Sequence, residues 1–121
     1  MRTFQEFVEH TGELYKLYDL LLNFLRGDSP WKNKNYHHTL VRQLQTIGWD
    51  DDAREIALLE PTKEEMEYAN RPMFGSMNVS AILQHKQDKR IGEIFSMKHS
   101  HYSHKVDELL DKLLAQGIGK D

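Results

Sequence analysis

The sequence predicts an all-α fold, an irregular bundle of five or six helices in which the first and last are long and pack roughly antiparallel. Three observations predict it. Apolar residues recur at alternating steps of three and four along both ends of the chain, glycine and proline punctuate the middle, and the apolar content is too low for a thick interior. The chain has 121 residues, which is one domain's worth. Hydrophobic residues make up 39% of it and charged residues 29%, with a mean hydropathy of -0.70. So lean an interior favours long helices, a partner, or both.

The first helix is expected over about 3–26. Phe4, Phe7, Thr11, Leu14, Tyr18, Leu21 and Leu25 mark a heptad seam over three repeats. Its second half is apolar on other faces too, through Leu17, Leu20, Leu22 and Phe24, so that end has to be covered from more than one side. Leu21 and Leu25 are expected to face the core, and Leu22 or Phe24 a partner. Gly12 weakens the helix interior by about 1 kcal/mol relative to Ala and could break it at Thr11. Gly27, followed by Asp28-Ser29-Pro30, ends it.

Trp31 to Asn35 reads as a polar loop and 36–47 as the second helix, stopped by Gly48. Asp50-Asp51-Asp52 opens a third, with Asp52 and Glu55 at capping-box spacing, and Pro61 closes it. Thr62 and Glu65 form a standard capping box for a short fourth helix ended by Pro72. Met73-Phe74-Gly75-Ser76-Met77 has no period and is expected to lie as a loop over the core. A short helix over 80–87 leads to or joins a last one over 89–116, whose stripe is Ile91, Phe95, His99, Tyr102, Val106, Leu109 and Leu113.

Composition excludes several chemistries. There is no cysteine, so disulfides, thiolate metal sites and cysteine nucleophiles are out. Neither a Gly-x-Ser-x-Gly elbow, a P-loop nor a Gly-x-Gly-x-x-Gly loop occurs. No run approaches the ~18 apolar residues of a membrane span and the N-terminus has no signal-like apolar run, so a cytoplasmic location and no membrane partner are expected. Net charge is -3, with residues 48–72 holding eight acids against three bases. That balance disfavours nucleic acid, although Lys32, Lys34, Lys86, Lys89 and Arg90, with Trp31 and Tyr36 near in sequence, are the residues such a site would use. If 50–67 formed an outward face, a basic partner surface would suit it.

Seven histidines are present, three of them in His99-Ser100-His101-Tyr102-Ser103-His104. On a helix His99 belongs to the apolar stripe, expected as a buried, hydrogen-bonded ring, while His101, His104 and Glu108 follow one another at one-turn intervals on another face. A two-histidine, one-carboxylate zinc or iron site is sterically conceivable there, with His37 or His38 to complete it. No Glu-x-x-His occurs, which argues against a di-iron bundle. The acidic pairs Glu6/Glu9 and Glu108/Asp111 resemble those of helical nucleotide pyrophosphatases, but lie much farther apart in sequence than in that family.

The opening MRTFQEF is similar to the starts of many short open reading frames of large tailed phages, which bears on source rather than on function. The function expected from these residues is a small non-enzymatic interaction or adaptor protein. It would bind a protein partner or a second copy through Leu22, Phe24, Met73, Phe74 and Met77, without a cofactor. The alternative is a histidine-based metal-binding protein or hydrolase using His101, His104 and Glu108, and the third is a nucleic-acid-binding protein.

Overall fold

The computed structural model describes residues 3–71 and 79–119. Five helices follow in order among them: α1 (Phe4–Leu25), α2 (Lys34–Thr46), α3 (Asp50–Ala57), α4 (Lys63–Ala69) and α5 (Val79–Ala115). The bundle is all-α with the first and last helices longest, as the periodicity predicts. Phe24 of α1 stacks on Tyr102 of α5, while Tyr18, six residues earlier, lies against Gly119, beyond the end of α5. The two long helices therefore run antiparallel.

Thr62 and Glu65 form the capping box expected for α4, and Thr3 and Glu6 form a second one at the start of α1 that was not expected: each Thr accepts from the backbone N–H three residues on and each Glu reaches back. At the ends of α1 and α2 the chain turns through Gly27 and Gly48, whose φ values of 116° and 83° only glycine adopts without strain. Asp28 N–H then donates to Asn23 O at 3.0 Å and Trp49 N–H to Leu44 O at 2.9 Å, the six-to-one bonds of a Schellman stop.

Several expectations are corrected. Gly12 does not break α1, which is continuous for 22 residues. Of the two continuations the sequence leaves open after 80–87, the joined one is found: α5 is one element of 37 residues, because the polar run from Lys86 to Arg90 contains only good helix formers and Asp. Asp52 does not cap α3: the N-cap is Trp49, with no side-chain cap bond. The core seam of α1 is Leu14, Leu17, Leu21 and Phe24, rather than the expected row ending at Leu25. Those four keep Leu14 and Leu21 of the predicted row and replace Tyr18 and Leu25 by their neighbours Leu17 and Phe24, which turns the buried face by about 50° to where α2 and α5 meet the helix. Phe24 is consequently core and Leu25 exposed, the reverse of the expectation. Met73, Phe74 and Met77 lie outside the described residues.

The core brings these side chains together with Leu40, Leu44, Ala53, Ile56, Val106, Leu109 and Leu113. Among the described residues, no helix is long and apolar enough to cross a membrane.

Candidate functional site

Two polar nodes and one apolar face stand out. The first node is centred on Trp31, which the sequence places in a polar loop and the structure buries completely. Ser29 and Pro30 make the turn that aims it inward: Ser29 O accepts from the N–H groups of Lys32 and Asn33, at 3.1 and 2.9 Å. Its ring meets Phe95, His99 and Tyr102 at centroid distances of 5.3 to 5.5 Å. The indole Nε1–H donates to Glu65 Oε2 at 3.0 Å, and Lys98 Nζ holds the other oxygen at 2.7 Å. Burial works to raise the Glu65 pKa, but hydrogen bonds from Lys98, Trp31 and Thr62 outweigh it and hold the carboxyl below its usual range.

The second node joins α3 to α5. Lys105 is buried and surrounded by carboxylates, with Nζ 2.8 Å from Asp52, 3.3 Å from Glu108 and in contact with Glu55. Asp52 also pairs with Lys112, whose ammonium lies 4.1 Å over the Trp49 ring. Burial works to lower the Lys105 pKa, yet its carboxylate partners push it up; the same contacts draw Asp52 down against its own burial. Asp52 and Glu65 thus belong to the inside of the fold. Of the acidic segment 50–67, Asp50, Asp51, Glu55, Glu60, Glu64 and Glu67 face outward.

Both nodes are complete within the chain: every buried side-chain polar atom of the described residues has a partner. They fasten α4 and α3 to α5.

The histidines divide among three environments. His99 is half-buried, stacked on Phe24 at 5.6 Å and tilted against Phe95 at 5.7 Å, and burial lowers its pKa. His37 is buried with Nδ1 3.3 Å from the Tyr102 hydroxyl, and burial again lowers its pKa. His101 and His104 are exposed, and His104 Nε2 lies 3.3 Å from Glu108 Oε1. Among the described residues no three His, Asp or Glu side chains converge as a metal site. His101, His104 and Glu108 share a helix face without forming a cage, and Glu108 is engaged by Lys105. Trp31 and Tyr36, the aromatics of the nucleic-acid alternative, are buried and cannot stack on bases.

The apolar face is on α1. In heptad terms the bundle takes Leu14 and Leu21 from one row and Leu17 and Phe24 from the next. Beside them two further rows, Phe4, Thr11, Tyr18, Leu25 and Val8, Tyr15, Leu22, together repeat at steps of four and three without interruption, with Tyr18 packed on the bundle's own core and against Gly119. Phe4 is 83% exposed, Val8 51%, Tyr15 42% and Leu25 57%, with Phe7 beside them at 60%. Thr11, Tyr18 and Leu22 are half-buried. Of the residues the sequence assigned to partner binding, Leu22 lies on this face and Phe24 does not. Val8 and Tyr15 were missed because the expected seam passed through Phe7 and Leu14, one position away; the four-three repeat that reveals them is legible in the sequence. Comparison with protein-family models, with curated proteins and with solved structures finds no match to this chain.

Proposed function

We propose that this protein works as a small interaction or adaptor module, binding another polypeptide through the outward face of α1. The observation that supports it is the exposure of Phe4, Phe7 and Val8 on a stretch, Thr3–Glu9, that is exposed on every side. A helix segment with two phenylalanines and a valine in water has an apolar stripe and no core to receive it. A packed neighbour is what such stripes require. Aromatic side chains are also the residues that dominate interface energies.

A single surface change tests the reading. Val8→Glu is on an exposed helix position outside the core cluster and should leave the fold intact. Pull-down from the native host with wild-type and Val8→Glu protein should show at least one protein, or the chain itself, retained by the first and lost by the second. Identical sets of bound proteins would remove this face as the site of interaction.

A further inference from the structure

Resting on that reading, we infer that the occupant of the outward face is a second copy of this chain, with the two α1 helices packed antiparallel along the row Phe4, Val8, Thr11, Tyr15, Tyr18, Leu22 and Leu25.

Three features identify the occupant. The first is the repeat itself. An exposed row that needed only to dock in an irregular groove would have no reason to keep a strict four-three spacing for 22 residues, whereas two helices wound on each other need that spacing on both strands. The repeat spans the whole of α1, about 33 Å at 1.5 Å per residue, and so matches a helix of the same length, which a second α1 supplies.

The second is area. An aromatic side chain can bury about 150–250 Å². At the exposures of Phe4, Phe7 and Tyr15, these three rings alone put roughly 300–400 Å² of aromatic surface on this face. Val8, Leu25 and the uncovered parts of Tyr18 and Leu22 add to it. A standard interface takes about 800 Å² per partner, so a symmetric pairing of this face approaches that size, and an isologous contact uses the same patch twice.

The third is direction. Glu6, Glu9 and Glu13 lie on the far side of α1 from this row, and Glu13 is taken up by Lys16 and by Gln43 of α2, so like charges do not line the face. Antiparallel packing opposes the two helix dipoles, which parallel packing would align.

The test uses the purified full chain. Wild-type protein should sediment as a concentration-dependent dimer, and Val8→Glu and Tyr15→Glu as monomers with unchanged helicity by circular dichroism. Because the chain lacks cysteine, single thiols report direction: Val8→Cys mixed with Leu22→Cys should join through a short bismaleimide in preference to either joining itself. Two self-linked species with no mixed product would overturn the antiparallel arrangement, and a dimer unaffected by both glutamate variants would overturn the face. Wild-type protein that is a monomer at every concentration overturns the second copy as occupant. In that case a host protein still lost from Val8→Glu in the pull-down leaves the interaction reading standing, and no such loss removes both.

Discussion

The indole of Trp31 and the carboxylate of Glu65, 34 positions apart in sequence, form a buried hydrogen bond of 3.0 Å that ties the loop after α1 to the first turn of α4. Glu65 is almost fully buried, and it is tolerated there because Trp31, Lys98 and Thr62 all donate to it. Removing the acceptor strands an indole N–H and an ammonium at once. Glu65→Ala should therefore cost about 3–5 kcal/mol, whereas Glu65→Gln, which keeps an acceptor for the indole, should cost about 1–2 kcal/mol. Urea unfolding followed by tryptophan fluorescence measures both; equal losses in the two variants would show that the indole bond contributes nothing.

Acid should destabilise the fold in two stages. Burial holds His37 and His99 neutral in the folded protein, below the usual histidine range. The unfolded chain takes up these protons near pH 6.5, so the stability they contribute is complete above that and is lost as pH falls through the folded values. Asp52 and Glu65 follow below about pH 4, since both are held down by their lysine partners and their contribution is lost as they protonate. His99→Phe preserves a ring among Phe24, Trp31 and Phe95 and removes one titrating group. Its urea midpoint should fall less steeply than wild type between about pH 6.5 and 5, and an unchanged slope would show that His99 titrates normally.

Helix count, the α4 cap and the stops were legible in the sequence because each rests on local chemistry: Thr62 and Glu65 cap, Gly48 turns, Leu109 and Leu113 repeat. Trp31 was not, because a lone aromatic between Pro30 and Lys32 shows no period, and its acceptor is far away in sequence. Asp52 was misplaced for a related reason. Three acids in a row at a helix start satisfy the dipole rule whichever of them faces inward, and only the packing of α3 on α5 selects Asp52 for Lys105 and Lys112. On α1 the sequence showed excess apolar surface but not which row the bundle would take. A helix with adjacent heptad rows can present either, and the positions of α2 and α5 decide.

Gly12 should respond in the opposite direction from the core. It lies in the middle of α1, exposed, and a Cβ built there meets nothing within 4 Å. Gly12→Ala should stabilise the chain by about 0.5–1 kcal/mol, through helix propensity and a less flexible unfolded state. Thermal unfolding checks it, and a lower midpoint would mean that α1 is bent or crowded at this point in solution.

Lys105 provides the sharpest test of the α3–α5 contact. Its ammonium is the shared cation of Asp52, Glu55 and Glu108, and it is buried while Lys112, the second partner of Asp52, is exposed. Lys105→Met keeps the apolar stem but leaves three carboxylates facing one another, one of them shielded from water. A loss of about 2–4 kcal/mol is expected. Asp52→Asn alone should cost less, since its one amide oxygen still accepts from Lys105 and the contact it gives up, with Lys112, is the exposed one. In the double variant the two losses should fall short of their sum by about 1–3 kcal/mol, because the neutral Asn no longer needs the missing ammonium. Strict additivity would place the stabilising contact of Lys105 with Glu55 or Glu108 instead, and make Asp52 a partner of Lys112 alone.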